Sequence, residues 1–222
     1  MKRLEAVLSA VCGDVLADIG TDHAMVPIWA CLDKKCMYGI ACDISQGPLD
    51  AALANIKKHN LESRITTRIG NGLAPVLEGE ADCIVIAGMG GMNILGILKE
   101  GENVARAVKS LILQPQHDIC HLRKELHKNY YEIYDELLAY ENKLYYHIIC
   151  ARPSSKKDAW PEADYHTGKY EKERDSKLWR EYARHETAIL EKNIKCIEAS
   201  KKPGEAGIIK MRELKELIGY FK

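Results

Sequence analysis

The chain has 222 residues, 46% of them hydrophobic and 29% charged, and its 32 basic side chains balance 32 acidic ones. This composition predicts an ordinary folded protein with ample residues for a core, and it argues against a disordered or uniformly basic chain. No apolar stretch is long enough to span a bilayer, and the start MKRLEAVLSAVCGD lacks the pattern of a secretory signal, so we expect a cytoplasmic protein.

Short β-rich runs alternate with helical patterns to about residue 151. Strands are predicted at 15–19, 38–42, 65–69, 82–87 and 110–114, and helices at 24–33, 48–60, 91–100 and 118–128. Such alternation predicts βαβ units and a parallel sheet covered on both faces. Cys42, Cys83 and Cys150 lie within apolar runs and no Cys-x-x-Cys pair occurs, which predicts reduced, buried thiols.

The pattern changes after the fifth predicted strand. Runs 131–139 and 143–151 are both strand-like, and Tyr140-Glu141-Asn142 joins them, which predicts an antiparallel hairpin closing one edge of the sheet. The polar stretch 152–168 is interpreted as a linker. We therefore expect one domain over residues 1–155 and a helical appendage over 156–222.

The appendage is predicted to be an antiparallel two-helix coiled-coil hairpin turned by KKPGE at 201–205. Its two apolar stripes have helical spacing: Leu178, Tyr182, His185, Ile189 and Cys196, then Ile208, Met211, Leu214, Ile218 and Phe221. Two interpretations are equally compatible with its mixed charges: the hairpin only packs on the domain or on a second copy, with its charges in solvent, or it binds nucleic acid.

Ligands of open α/β sheets bind at the carboxyl ends of the strands, so the loops there hold the candidate site. The first loop is Asp18-Ile19-Gly20-Thr21-Asp22-His23, and the fourth is Ala87-Gly88-Met89-Gly90-Gly91. Asp43, after the second strand, suits ribose hydroxyls, and Asn71, after the third, suits an adenine edge. The fifth strand ends in Gln114-Pro115-Gln116.

Other readings of these motifs are weaker. GMGGMN superficially has a dinucleotide fingerprint, but it follows the fourth strand and lacks the third glycine. His117 and His121 have helical metal-ligand spacing without an evident third ligand, so no metal site is predicted. An Asp at a strand end is often only a turn or cap residue.

Taken together, the segments ADIGTDHA, GPLDAA, GNGL, IAGMGG and LILQP resemble one family, the bacterial tRNA (adenine-N1)-methyltransferases that modify adenine 22 of the D-arm. The resemblance extends from residue 2 through the helical hairpin. It implies an α/β fold of the class I methyltransferase (Rossmann-like) type, with a mostly parallel sheet and a closing antiparallel hairpin. It also implies S-adenosylmethionine as cofactor and tRNA as partner.

The resemblance assigns cofactor contacts to the strand-end loops. Asp18 and Gly20 would lie beside the methionine portion, Asp43 would hold the ribose hydroxyls, and Asn71 would meet the adenine. The family often has Asp where this chain has Asn71, and Asn where it has Gln116. The remaining predicted cofactor contacts are Thr21, His23, Ile44, Gly72 and Ala87.

Asp22 is the predicted catalytic carboxylate, with Gly88 and Met89 beside it. Adenine N1 is nucleophilic at neutral pH and becomes positively charged on methylation, so a nearby carboxylate would orient the ring and stabilise that charge. The alternative for Asp22 is a helix N-cap, and His23 either supports Asp22 or caps the helix. Glycines 88, 90 and 91 would leave room for a flat base.

The target base is stacked within tRNA and must be exposed, which basic contacts to the RNA backbone would offset. The predicted substrate contacts are Arg3, Arg123, Gln114, Pro115 and Gln116, with Lys2 and Lys124 as further candidates. Rival hypotheses are a class I methyltransferase acting on another RNA, a protein or a small molecule, and a non-catalytic RNA-binding protein with this fold. We expect a monomer or a weak homodimer without membrane contact.

Overall fold

One sheet organises the N-terminal part of the chain. The computed structural model describes residues 1–199 and 205–222, and divides into two units, Met1–Ala159 and Trp160–Lys222. The strands of the described residues are β1 Val15–Ile19, β2 Tyr38–Asp43, β3 Ile65–Ile69, β4 Cys83–Met89, β5 Ser110–Pro115, β6 Tyr131–Glu141 and β7 Leu144–Pro153. All seven match the predicted strands to within two residues at either end.

The strand order is β3-β2-β1-β4-β5-β7-β6. The first five strands run parallel, whereas β7 pairs antiparallel with β5 and with β6. The predicted closing hairpin is therefore confirmed, with β6 at the edge. Since chain order reverses between β1 and β4, the crevice beyond these two strands is where a ligand is expected.

Six helices of the first unit cover the sheet: α1 Arg3–Ala10, α2 Met25–Leu32, α3 Gln46–Lys58, α4 Gly91–Glu100, α5 Glu102–Ala107 and α6 Ile119–Lys128. Four of them match the predicted helices. Helices α1 and α5 were not predicted, because α5 has only six residues and the buried residues of α1 are consecutive, so neither shows a clear helical period. In α1, Ala6, Val7 and Leu8 are buried in succession and join the main core.

The second unit contains more structure than predicted. Its helices are α7 Glu162–Thr167, α8 Lys169–Arg174, α9 Lys177–Glu198 and α10 Glu205–Tyr220. The prediction of a linker over 152–168 is thus wrong at both ends, since β7 continues to Pro153 and α7 begins at Glu162. The Trp160 and Tyr165 rings stack with centroids 5.8 Å apart, so tertiary packing stabilises a helix of only six residues.

Helices α9 and α10 pack on each other. Tyr182 near the start of α9 meets Phe221 after the end of α10, with ring centroids 5.8 Å apart, which makes the pair antiparallel. The stripe predicted for α9 is partly wrong, because Ile189 and Cys196 are exposed and the buried side chains include Trp179 and Ile194. The predicted KKPGE turn lies mainly in residues 200–204, outside the described part of the chain.

None of the eight cysteines, all of which lie in the described residues, forms a disulfide, and Cys42, Cys83 and Cys150 are buried, as predicted. Across residues 1–199 and 205–222, no helix combines the length and the apolar character needed to cross a bilayer.

Candidate active site

Two cavities open at the carboxyl ends of the central strands, and Gly20 lines both of them. The Asp43 cavity, with Asp43, Ile44, Asn71 and Gly72 in its wall, has a volume of about 380 Å³. The Asp22 cavity has a volume of about 370 Å³ and is lined by Arg3, Asp18, Asp22, Ala87, Gly88 and Gln116, among others. Both lie at the position that the strand order indicates.

The Asp43 cavity combines hydrogen-bonding groups with an apolar wall. Asp43 Oδ1 accepts a hydrogen bond from the Ser45 amide at 2.8 Å, and Oδ2 has no protein partner within the described residues. Asn71 Nδ2 lies 3.5 Å from Glu100 Oε2, and Ile44 is 66% exposed at the edge of the cavity. A free carboxylate oxygen, an amide and an apolar side chain fit a nucleoside with ribose hydroxyls and a flat base.

Gly20 lies where the two cavities adjoin and packs closely against Met89. Its φ is +73°, which disfavours any other residue, and a Cβ there would collide with Cε of Met89. Met89 therefore lies over Gly20 in the Asp43 cavity, and its side chain is absent from the wall of the Asp22 cavity.

Asp18 is a buried carboxyl at the floor of the Asp22 cavity. Thr21 Oγ1 donates to Asp18 Oδ2 at 2.6 Å. Burial raises the pKa of Asp18 to about 6, the hydrogen bond from Thr21 opposes that rise, and the charges of Asp22 and Asp43 add to it. Thr21 is itself buried and lines neither cavity, so it positions Asp18.

This burial predicts a pH-dependent effect of Asp18→Asn. The pKa of Asp18 rises from 3.8 to about 6 on folding. Its contribution to stability is therefore present below pH 4 and lost as the pH rises through 6, a difference of roughly 3 kcal/mol. The free energy of unfolding of Asp18→Asn minus that of the native chain should therefore increase between pH 4 and pH 7.5, which urea titrations at the two pH values measure. A difference that does not change with pH would contradict the buried carboxyl.

Asp22 projects into solvent at the Asp22 cavity. Its side chain is 88% exposed, and Oδ1 lies 3.3 Å from Nε2 of His23. The N-cap residue of α2 is Ala24, and the cap carries no side-chain hydrogen bond, so neither Asp22 nor His23 caps the helix. The capping alternative is therefore not realised, and the Asp22 carboxylate is available to a ligand.

Gly88 forms a bulge in β4. The register with β5 shifts between Ala87 and Met89, and Gly88 has a φ of +79°. A Cβ at Gly88 would point toward Arg3 and Gln116, with the nearest atom 3.6 Å away. The bulge thus turns backbone toward the Asp22 cavity, as bulges beside active sites commonly do.

Of the three glycines predicted to leave room for a flat base, Gly88 lines the Asp22 cavity and the other two do not. A Cβ at Gly90 would collide with the His117 ring, and one at Gly91 would lie 2.9 Å from the Asp118 carbonyl oxygen. These two glycines allow close packing of the loop after β5, and neither lines the Asp22 cavity.

Gln114 and Pro115 are corrections to the predicted substrate contacts. Both are buried and neither lines the Asp22 cavity. Gln114 Oε1 accepts from the Gly88 amide at 3.2 Å and from Arg3 Nη1 at 3.4 Å, while Gln114 Nε2 donates to the Pro115 carbonyl at 2.9 Å. Because its amide is engaged within the protein, Gln114 can hold Arg3 and the bulge in place but cannot reach a substrate.

Arg123 is a second correction. Its side chain is fully buried, and Nε donates to Glu136 Oε1 at 2.6 Å. Nη2 lies 3.2 Å from Nδ1 of His147. Burial and the nearby guanidinium hold the pKa of His147 well below its ordinary value, so the neutral ring accepts this hydrogen bond. Arg123 therefore stabilises the packing of α6 against the closing hairpin and is inaccessible to tRNA.

The predicted cofactor residues divide between the two cavities. Gly20, Asp43, Ile44, Asn71 and Gly72 line the Asp43 cavity, Asp18 and Ala87 line the Asp22 cavity, and Thr21 and His23 line neither. Sequence reasoning missed the face of α4 that completes the Asp43 cavity: Met92, Asn93, Gly96, Ile97 and Glu100. Their spacing on one helical face, directly after the glycine loop, was the available signal.

The chain matches a known family model and a curated protein. A family model described as methyltransferase domain matches residues 1–149. The tRNA (adenine(22)-N(1))-methyltransferase of Bacillus subtilis (strain 168) is 39% identical over 160 residues, which span 72% of this chain and 67% of that protein.

Solved structures match over nearly the full length. The B. subtilis m1A22 tRNA methyltransferase TrmK superposes with a TM-score of 0.86 at 31% identity, covering 99% of this chain and 96% of that one. TrmK of M. capricolum, in complex with the cofactor product S-adenosyl-homocysteine, has a TM-score of 0.80 at 29% identity, covering 99% and 94%. The chain belongs to the tRNA (adenine(22)-N(1))-methyltransferase family.

Proposed function

We propose that this protein transfers a methyl group from S-adenosylmethionine to N1 of adenine 22 in bacterial tRNA, with the cofactor in the Asp43 cavity and the base in the Asp22 cavity. The observation that carries the assignment of residues is that the two cavities meet at Gly20, with an exposed carboxylate on the second. A donor and an acceptor held in adjoining cavities would allow direct transfer of the methyl group.

The cofactor residues act by binding and orientation. When bound, S-adenosylmethionine supplies a methyl group activated by a sulfonium. Asp43 would accept hydrogen bonds from the ribose hydroxyls through its free Oδ2, and Asn71 would meet the adenine edge. Gly20 and Gly72 allow the backbone to approach closely, since both have a positive φ.

This arrangement predicts that Asp43→Ala weakens S-adenosylmethionine binding about ten-fold or more. Charge-assisted hydrogen bonds contribute roughly 1.5–3 kcal/mol, and 1.4 kcal/mol is a factor of ten in affinity. Titration calorimetry compares the native chain with Asp43→Ala and Asp43→Asn. Because Asp43→Asn keeps an acceptor for the Ser45 amide, it separates the loss of the charge from a change in the local fold. Unchanged affinity in Asp43→Ala would remove this residue from the site.

Asp22 addresses the charge that develops on the base. Adenine N1 needs no general base, because its lone pair carries no proton at neutral pH. The ring becomes cationic as the methyl group arrives, and the Asp22 carboxylate in the same cavity would stabilise that cation. Methyltransferases acting on the exocyclic amine of adenine typically have a polar residue, two prolines and an aromatic after the fourth strand. This chain has Gly88-Met89-Gly90-Gly91, which favours a ring nitrogen.

Arg3 provides the complementary charge in the Asp22 cavity. Its guanidinium would repel a cationic base but attract the phosphate of the same nucleotide, so we assign it to the RNA backbone. The carbonyl oxygen of Gln114 and the Tyr146 ring, whose centroid lies 5.7 Å from the guanidinium carbon, hold Arg3 in place. Gln114 is thus a positioning residue, and Gln116 remains a direct contact at the cavity wall.

We assign the second unit to tRNA binding. Lys177, Arg180 and Arg184 lie along one face of α9 and line a groove within this unit. Replacing all three by Gln should lower tRNA affinity. The slope of log affinity against log salt concentration should become less steep by up to about three, one for each lost phosphate contact. Cofactor affinity should not change. If the slope equalled that of the native chain, these residues would not contact tRNA, and the second unit would have only a packing role.

The direct test of the reaction is incubation with labelled S-adenosylmethionine and bulk bacterial tRNA, followed by digestion to nucleosides. We expect the label in 1-methyladenosine. Label in N6-methyladenosine would contradict the ring-nitrogen assignment. Cofactor binding without any transfer to RNA would favour a different substrate or a non-catalytic role.

A further inference from the structure

Helix α2 has an apolar face that the core does not use. Met25, Trp29 and Leu32 are spaced one helical turn apart and are 38%, 37% and 40% exposed. The core-facing side of the same helix is already filled by Pro27, Ile28, Ala30 and Cys31. A second apolar face on a surface helix is unusual in a protein of ordinary composition and indicates an interaction surface.

This face begins at the Asp22 cavity. Met25 forms part of the cavity wall, and Trp29 follows one turn later, about 6 Å further along the helix axis. A nucleotide adjacent to the base held in the cavity would therefore pass over Trp29. The surface is continuous with the proposed substrate site.

The two segments that meet at Trp29 are rich in lysine. The rings of Trp29 and His59 meet edge to face with centroids 5.9 Å apart, which brings the end of α3 beside α2. Segments 29–35 and 53–60 together contain four lysines and one acidic residue, Asp33. Within residues 1–199 and 205–222, none of these lysines forms an ion pair with a carboxylate: Lys34, Lys35, Lys57 and Lys58.

We propose that the Trp29 platform, made of Met25, Trp29, Leu32 and His59, stacks an unpaired base of the tRNA next to the target adenosine. Lys57 and Lys58 would contact the adjoining phosphates. An aromatic surface combined with unpaired cations is the usual device for binding unstacked RNA. A second copy of the chain is disfavoured as the occupant, because the same lysines of the two copies would face and repel one another across the contact. The inference rests on the proposed function.

Two substitutions in the full-length chain test the platform. Trp29→Leu keeps an apolar side chain but removes the stacking ring, and Trp29→Phe keeps a ring. We expect Trp29→Leu to raise the Kd for tRNA about ten-fold or more, the scale for losing one stacked base, and Trp29→Phe to retain most of the affinity. S-adenosylmethionine affinity and melting temperature should stay close to those of the native chain. Leu77→Ala, at a side chain that is 70% exposed, is the control and should leave the Kd unchanged.

Intrinsic fluorescence gives an independent readout. Of the other two tryptophans, Trp160 is buried and Trp179 lines the groove beside Lys177 and Arg180. The quenching by tRNA that is lost in Trp29→Phe therefore measures Trp29, and we expect Trp29→Phe to lower the quenching clearly. Equal Kd values for Trp29→Leu and the native chain, with methylation intact, would overturn the platform but not the proposed function. If Trp29→Leu lost a concentration-dependent dimer without a change in the Kd for tRNA, this face would bind a second copy of the chain, and the platform would again be overturned. A native chain that methylates no tRNA would instead refute the function, and the platform with it.

Discussion

Asp22→Asn should lower the rate of tRNA methylation by roughly 10²–10³ while leaving the fold and cofactor affinity nearly unchanged. The substitution keeps the size of the side chain and one acceptor but removes the charge that would face the cationic ring. Because the Asp22 carboxylate is exposed and its side-chain contact within the described residues is the His23 ring, loss of its charge should cost little stability. Single-turnover kinetics with saturating cofactor measure the chemical step.

The matched control is Asp33→Asn, which removes an exposed carboxylate just after the other end of α2. It should methylate tRNA at the native rate. If Asp22→Asn also retained the native rate, Asp22 would have no electrostatic role in the transition state. A rate loss accompanied by an equal loss of cofactor affinity would move Asp22 to the cofactor.

Arg123→Ala should reduce the free energy of unfolding by about 3–5 kcal/mol, the usual cost of removing one partner from a buried ion pair. Glu136 would stay buried opposite the lost guanidinium, with an exposure of only 1%. The double variant Arg123→Met, Glu136→Leu should recover much of this loss, because apolar residues can fill the same space. Urea denaturation compares the three chains.

Arg3→Ala gives the contrasting result expected of a cavity residue. It should lower tRNA affinity with little effect on stability, since Arg3 is partly exposed and lines the Asp22 cavity. If Arg123→Ala were as stable as the native chain but bound tRNA weakly, the buried network would be wrong and the original prediction for Arg123 would be restored.

The order of the elements could be predicted because strand and helix periods alternate clearly in the first 150 residues or so. The sheet, the antiparallel hairpin and the Asp43 cavity follow from that order, since parallel strands bring Asp43, Asn71 and Gly20 to one edge. Helix α5 and helix α7 were missed, because a six-residue helix is stabilised by tertiary packing that has no local signature.

Side-chain burial was the main thing that the sequence could not reveal. Arg3 and Arg123 are the same residue type, yet Arg3 lines a cavity and Arg123 lies in the core against Glu136. Gln114 is a similar case, because its role depends on the Gly88 bulge, which no local pattern predicts. Burial of a charged side chain depends on a partner from another element, here Glu136 on β6, that is known only after folding.

The central claim is methylation of N1 at adenine 22, and two tRNA transcripts that differ only at position 22 test it most directly. The native chain and labelled S-adenosylmethionine are incubated with each transcript, which is then digested and its nucleosides identified by mass spectrometry. We expect one 1-methyladenosine per molecule of the transcript with adenine 22, and no label in the transcript with guanine 22. Equal labelling of both transcripts, or a methyl group on another atom of adenine, would contradict the account.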